Sequence, residues 1–373
     1  MASVPAASSG YDRLSELKAF DATKAGVKGL VDAGVTTVPR IFQDPAAAAA
    51  AAQPSSNHHD VAGSCRVPVI DLAAGRADLV AQVKSAAETV GFFQVINHGV
   101  PSNLLTEMLA SVKSFHEQPA EAKAPYYSRD REPARRVRYQ SNFDLYTSPA
   151  ANWRDSLFMV MTQPVNEVPP PCRAVLPEYT ARVRRLGATL LGLLSEAMGL
   201  HPGFLEHDAG CLDDGLSVAG HYYPPCPEPH LTMGTTRHSD PSFLTVLLQD
   251  DIGGLQMLVN DEDGRGSSSW VDVPPVPGAL VVNIGDFLQL VSNDRFKSVE
   301  HRVLATAAGP RVSVACFFRT TDGSKVYRPI VNSLEDERPR YRSTTVPEFV
   351  GYYMDKGLDG RSKLEHFRLS DDP

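Results

Sequence analysis

Three side chains in the C-terminal half of the sequence have the types and the spacing to do chemistry. His238 and Asp240 stand two positions apart in Arg237-His238-Ser239-Asp240, and His301 follows in Val299-Glu300-His301-Arg302-Val303. At the end of a β-strand, residues i and i+2 share a side, so one short segment offers an imidazole and a carboxylate to a single point. His301 arrives from another Val-rich strand as the third ligand. Two histidines and one carboxylate make the facial triad that holds non-haem Fe(II) while leaving coordination positions open, and open positions imply catalysis.

His-x-Asp alone says little in a chain with 11 histidines, so the surroundings must decide. Ten residues after His301 an apolar run opens as Arg311-Val312-Ser313-Val314-Ala315, with Arg and Ser on one strand face. A planar guanidinium fork suits a carboxylate, and a hydroxyl two residues on adds a hydrogen bond to the same group. An arginine that begins an apolar strand needs a partner if it is buried, and a ligand carboxylate supplies one. Upstream, His221-Tyr222-Tyr223-Pro224-Pro225-Cys226-Pro227 puts Tyr223 on the same face as His221, where its phenol could complete the carboxylate site.

In order and spacing these parts resemble the plant 2-oxoglutarate and Fe(II)-dependent dioxygenases. Further stretches extend the resemblance over nearly the whole chain: Gly91-Phe92-Phe93-Gln94-Val95-Ile96-Asn97-His98-Gly99-Val100, Trp153-Arg154-Asp155, Gly253-Gly254-Leu255-Gln256, and the run from Gly278 to Asp286. The segment from Lys18 to Gly34, taken with His221-Tyr222-Tyr223, is similar to the subgroup named 1-aminocyclopropane-1-carboxylate oxidase homologues, which includes benzoxazinoid-glucoside dioxygenases and deacetoxyvindoline 4-hydroxylases. One departure stands out: His221 occupies a position where many relatives have asparagine.

The resemblance implies a mainly β fold with helical support, a double-stranded β-helix (jelly roll) flanked by N-terminal and long helices. It implies Fe(II) on His238, Asp240 and His301, and 2-oxoglutarate as cosubstrate with its far carboxylate on Arg311, Ser313 and Tyr223. O2 would be the oxidant, ascorbate the reductant, and succinate and CO2 the coproducts. The substrate expected is a small aromatic or heterocyclic plant metabolite, walled by Phe143, Phe317 and His221 and hydroxylated. O-demethylation and desaturation stay open, as does the identity of the substrate.

Composition agrees with an enzyme of this kind. The 373 residues are 42% hydrophobic, enough for a large core, and a net charge of −8 argues against nucleic acid or an anionic membrane as partner. Five cysteines, odd in number and with no C-x-x-C pair, suggest neither a disulfide framework nor a zinc ribbon, which fits a reducing cytoplasm. No stretch approaches the ~20 apolar residues of a membrane span, and the first residues lack a secretory pattern. A cytoplasmic monomer acting on a small molecule is expected.

Four regions are expected along the chain: 1–64 as N-terminal helix and flexible linker, 65–200 as a helical and strand region, 201–320 as the jelly-roll core, and 321–373 as a helical tail. Apolar spacing predicts a helix from Asp12 with Gly26 as its stop, and the alanines from Ala46 to Ala52, set among prolines and polar residues, read as a loop with solvated His58 and His59 beyond them. Helices are expected from Asp78 to Val90, Asn103 to Glu117 and Tyr179 to Met198, and strands at Val69-Ile70 and Phe92 to Ile96. β-branched runs then predict strands at Phe243 to Gln249, Leu255 to Val259, Trp270 to Val273, Ala279 to Ile284, His301 to Ala305 and Val312 to Phe318, with a hairpin loop at Asn260 to Ser269.

Structural roles are expected elsewhere. His98 reads as a turn residue, Asp286 as a turn or cap, and Trp153-Arg154-Asp155 as an ion pair with an aromatic anchor. His221 has two readings, a group beside the cosubstrate that titrates near working pH or a core histidine bonded to a carbonyl. Two other functions compete with the main one. A true 1-aminocyclopropane-1-carboxylate oxidase would form ethylene with ascorbate, and a silent jelly-roll binding module would release no succinate.

Overall fold

Two apolar-striped helices and a series of short β-branched runs set the architecture. The structure is a computed structural model that describes residues 11–52, 67–130, 135–161, 167–212, 215–260, 268–331, 338–358 and 362–370. Its first elements are α1 (Arg13–Ala22), α2 (Gly26–Asp32), α3 (Pro45–Ala52), β1 (Val69–Asp71), α4 (Arg76–Thr89), β2 (Phe92–Ile96), α5 (Ser102–His116) and α6 (Ala120–Lys123). Next come β3 (Val137–Ser141), β4 (Asp155–Val160), α7 (Pro170–Arg173), α8 (Leu176–Ala197), β5 (Gly215–Tyr223), β6 (Met233–His238), β7 (Leu244–Gln249) and β8 (Leu255–Asn260). The chain continues through β9 (Ser268–Asp272), β10 (Leu280–Ile284), α9 (Asp286–Val291), β11 (His301–Leu304), β12 (Arg311–Arg319), β13 (Val326–Tyr327), β14 (Thr344–Thr345) and α10 (Val346–Lys356).

One sheet runs in the order β1-β2-β10-β7-β12-β5-β4-β3 and a second in the order β6-β11-β8-β9. The strands from β5 to β12 build the double-stranded β-helix. β1 and β2 widen the larger sheet at one edge, and β4 and β3 at the other. The last two are not announced by the sequence pattern, and the reason is physical: β3 turns Arg138 and Gln140 into a cavity, so its polar face looks like a loop.

Helices cover the outer face of the larger sheet. On α5, Leu104, Leu105, Met108, Val112 and Phe115 are buried at helical spacing, and on α8 Leu176, Tyr179, Val183, Leu186, Leu190 and Leu194 are. Glycine allows the close approach of both. A Cβ on Gly187 would lie 2.3 Å from the Phe318 ring, and one on Gly220 would lie 2.8 Å from Val112.

Two expectations about the N-terminal region are corrected. The alanine run forms a helix, α3, because alanine has the best helix propensity, Pro45 suits a first turn, and the Asp44 carboxylate accepts from the Ala46 amide at 2.9 Å. His58 and His59 lie outside the described residues, as does most of the 260–269 hairpin loop. Gly26 does not stop α1, which ends at Ala22; it opens α2, where the Asp155 carboxylate accepts from the Val27 and Lys28 amides. Leu17, Phe20, Val27, Ile41 and Phe42 then form a separate apolar cluster around Trp153.

Candidate metal centre and active site

Antiparallel pairing explains how the third ligand reaches the first two. β6 and β11 are neighbours, and His238 lies directly across from His301. Their Nε2 atoms stand 3.7 and 3.6 Å from the same Asp240 oxygen, Oδ1. Ligand atoms of the three residues all fall within 4.8 Å of one another, a set that could hold a metal ion. His238 Nδ1 bonds the Thr236 carbonyl at 2.8 Å and His301 Nδ1 bonds the Val299 carbonyl at 3.1 Å. A carbonyl only accepts, so each Nδ1 carries the proton and each Nε2 lone pair points to the shared centre.

Asp240 lies past the end of β6, and the larger sheet holds its carboxylate. Thr245 Oγ1 and Asn283 Nδ2 donate to Oδ2 at 2.7 and 2.9 Å, leaving Oδ1 to the histidines. Burial opposes ionisation, yet His301, His238 and these donors keep the carboxyl below its ordinary pKa. For His238, burial and the neighbouring His301 push the imidazole down. A carboxylate kept ionised, beside two rings whose Nδ1 hydrogen bonds turn Nε2 inward, is what a divalent metal needs, so the donor set fits such an ion.

Beyond the triad lies a buried cation. Arg311 is 1% exposed, and its guanidinium donates to the Gly253 carbonyl at 2.7 Å, Gln249 Oε1 at 3.0 Å and Ser313 Oγ at 3.1 Å. All three acceptors are neutral. Among the described residues no carboxylate forms a salt bridge with it, although the Asp250 carboxylate lies close enough to feel its charge. The Tyr223 ring lies 5.0 Å from the guanidinium carbon, and its hydroxyl is 3.1 Å from Thr235 Oγ1. Burial opposes it, but Arg154 and Arg311 draw the phenol below its ordinary range. Arg311, Ser313, Tyr223, His301 and Asp240 line one small cavity of about 50 Å³.

A larger cavity of about 360 Å³ opens from the same metal-side residues, His238, Asp240, His221 and Phe317, toward α10. Family comparison then decides the class. The 2OG-Fe(II) oxygenase superfamily model matches residues 215–320, and the model of the non-haem dioxygenase in morphine synthesis N-terminal region matches 67–177. An Arabidopsis thaliana protein called 1-aminocyclopropane-1-carboxylate oxidase homolog 1 is 50% identical over 370 residues, covering 96% of this chain and 97% of its own. The chain belongs to the 2OG-Fe(II) oxygenase superfamily. Another relative, the Solanum lycopersicum 1-aminocyclopropane-1-carboxylate oxidase homolog, is 46% identical across 98% of this chain and 99% of its own.

Solved structures agree on the oxygenase fold. JOX2 in complex with 2OG, Fe and JA superposes with a TM-score of 0.78 at 28% identity, covering 92% of this chain and 98% of that one. The dioxygenase for auxin oxidation from rice gives 0.65 at 27%, covering 82% and 100%.

Within this oxygenase the structure brings together His238, Asp240 and His301, gathers Arg311, Ser313 and Tyr223 beside them, and sets Phe143, Phe317 and His221 on the larger cavity. Of residues Asn142 to Tyr146 only Phe143 lines the cavity, its ring stacked 6.2 Å from that of Tyr353 of α10. Asn142 instead bonds Asn152, and Asp144 accepts from the Leu358 amide at 2.9 Å.

His221 reaches both cavities, and its Nδ1 is 2.9 Å from Ser156 Oγ. Burial first, then Arg154 and Arg311, hold its pKa well below the ordinary value. Of its two readings, a lowered pKa favours the one in which the imidazole stays uncharged near working pH.

Trp153-Arg154-Asp155 is also corrected, because strand alternation sends its members apart. Trp153 packs edge-on against Phe42 at 5.2 Å, Asp155 caps α2, and Arg154 turns into both cavities, where its Nη1 donates to Thr235 Oγ1 at 2.9 Å. No ion pair joins Arg154 to Asp155. Asp286 is the first residue of α9, and its carboxylate accepts from Ser298 and Ser239; burial pushes it up to about 7. Arg138 and Arg319 on the larger cavity escaped the sequence reading because nothing local marks a charged strand residue as facing inward, and Tyr353 did so because it comes from α10, far along the chain.

Proposed function

We propose that His238, Asp240 and His301 hold Fe(II), and that Arg311, with Ser313 and Tyr223, takes the far carboxylate of 2-oxoglutarate. The convergence of two Nε2 lone pairs on Asp240 Oδ1, at 3.7 and 3.6 Å, carries this reading. The iron, when bound, supplies oxidative decarboxylation of the keto acid with O2 and insertion of oxygen into a substrate C–H bond. The chain supplies orientation. Thr236 and Val299 carbonyls fix the ring tautomers, Thr245 and Asn283 aim the carboxylate, and the Arg311 fork holds the cosubstrate in one register.

The larger cavity holds the substrate, a small aromatic or heterocyclic metabolite, between Phe143, Phe158 and Phe317. Hydroxylation is the reaction expected, with succinate and CO2 released and ascorbate keeping the metal reduced. A cytoplasmic monomer is part of this proposal; no helix among the described residues is long and apolar enough to cross a membrane, and the four described cysteines are free.

The test is succinate release from purified protein given Fe(II), ascorbate and 2-oxoglutarate, with plant extracts screened for products heavier by one oxygen. Succinate formation that depends on both metal and 2-oxoglutarate is expected. Its absence with every extract and in uncoupled turnover would leave a silent binding module, and ethylene from 1-aminocyclopropane-1-carboxylate would overturn the assignment.

A further inference from the structure

The larger cavity is cationic in a chain that is acidic as a whole. Three guanidinium side chains, Arg138, Arg154 and Arg319, line it, and the one carboxylate among the lining residues is Asp240, which faces the metal end. Arg154 is engaged with Thr235, and Arg138 donates to the Asp130 carbonyl at 3.0 Å. Arg319 differs. Among the described residues its guanidinium makes no hydrogen bond or salt bridge; the side chain is half-buried, and its Nε, like that of Arg154, is sealed from solvent without an acceptor. What it has is the Phe317 ring, 5.5 Å from its guanidinium carbon. A half-buried guanidinium with no protein acceptor is free to take an incoming anion by charge-assisted hydrogen bonds.

Register places this charge opposite the metal end. Arg311, Ser313, Ala315, Phe317 and Arg319 share one face of β12, so Arg319 starts roughly 20 Å along the strand from Ser313 at ~3.3 Å per residue. Its side chain nonetheless feels the Asp240 carboxylate and the Tyr353 phenol across the cavity. On the facing strands Arg138 pairs with Phe158, which pairs with Ala219, so Arg138 joins the same floor. Between the two ends the walls are apolar: Phe143, Phe158, Phe317, Val350, Met354 and Leu358.

We propose that the substrate is an acid, a flat apolar body whose carboxylate is held by Arg319 with Arg138 while the opposite end meets the metal. This rests on the reading of the cavity as the substrate site. The Arg319 fork accepts the carboxylate in a two-point contact, the aromatic rings sandwich the body, and the acid's length sets which carbon faces the metal.

The test is equilibrium binding by calorimetry, without oxygen, to the protein loaded with Fe(II) and saturated with 2-oxoglutarate so that Arg311 is occupied. The probes are phenyl-, indolyl- and naphthylacetic acids, each paired with its carboxamide. At least one acid should bind, with its amide roughly ten- to hundredfold weaker, as expected for loss of a charge-assisted contact. Arg319→Gln should abolish that difference, Arg138→Gln should reduce it, and Arg319→Lys should keep part of it. Affinity for 2-oxoglutarate, unchanged in all three, shows that the variants are folded. Equal binding of acid and amide, no binding by any acid at millimolar concentration, or a preference that survives Arg319→Gln overturns the proposal. Failure of the dioxygenase reading is separate: it would show as no metal-dependent 2-oxoglutarate binding by the parent, while the acid preference and its dependence on Arg319 are still measurable.

Discussion

Arg311 and Arg319 stand on one face of one strand, and their surroundings could hardly differ more. Arg311 is wrapped by Gly253, Gln249 and Ser313, each a neutral acceptor that fixes the fork without cancelling its charge. Arg319 has an aromatic face and no acceptor among the described residues. On the proposed reading the small cavity at Arg311 is built in advance for a cosubstrate that does not vary within the reaction class, and the larger cavity holds the second arginine. The larger one is left open, lined by α10 and by rings that can take many shapes. Preorganised geometry favours a cofactor end, and unpartnered charge favours selection of a substrate.

The comparison breaks most completely at the triad. Ala at His238, Asp240 or His301 should take turnover below detection and weaken Fe(II) binding, while binding of acids at the Arg319 end persists; full activity in Asp240→Ala would contradict the metal assignment. A smaller effect is expected at Arg311→Lys, which keeps charge and loses the fork. The Michaelis constant for 2-oxoglutarate should rise roughly 10- to 100-fold, with iron affinity little changed. If steady-state kinetics show no rise, the cosubstrate carboxylate lies elsewhere.

Asn283→Ala removes one of two donors that aim Asp240. Metal affinity should fall by roughly tenfold, the lower range for loss of a group that orients a ligand, measured by competition with a chelator. Unaltered affinity would mean that Thr245 alone suffices.

Two histidines on opposite sides of β5, His116 buried and His221 half-buried, sharpen the contrast between site and core. His116, 0% exposed, bonds the Gly220 carbonyl from α5, and burial pushes its pKa down to about 3. A depressed imidazole pKa means the unfolded chain binds the proton first. Stability is therefore full above pH ~6.5 and is lost as pH falls from there toward about 3, by at most about 1.4 kcal/mol per unit. His116→Gln should flatten that slope in melting temperatures between pH 7 and 5, and an unchanged slope would assign the acid loss to other groups. On the inner side, His221→Asn should have the smallest effect: kinetics between pH 5.5 and 8 that run parallel to the parent, because the imidazole is already neutral. A displaced acid limb would revive the titrating reading.

The motif regions were legible because their chemistry is local. His-x-Asp at a strand end, Arg-x-Ser on one face, and β-branched runs bounded by Gly and Pro each declare themselves within a few residues. β3 and β4 were not, since Arg138, Gln140 and Ser156 on their inward face line a cavity and break the apolar alternation. Nor was α3, where flanking prolines and polar residues outweighed the helix propensity of alanine.

By itself the sequence determined the jelly-roll class, the three residues of the triad and the arginine beside them, because periodicity and side-chain chemistry are properties of the chain. Tertiary structure alone decided that Thr245 and Asn283, from strands of the other sheet, hold Asp240, that Arg154 parts from Asp155, and that Arg138 and Arg319 share one cavity. Those facts depend on register between strands far apart in sequence, and a charged side chain carries no local mark of which face, solvent or cavity, it will meet.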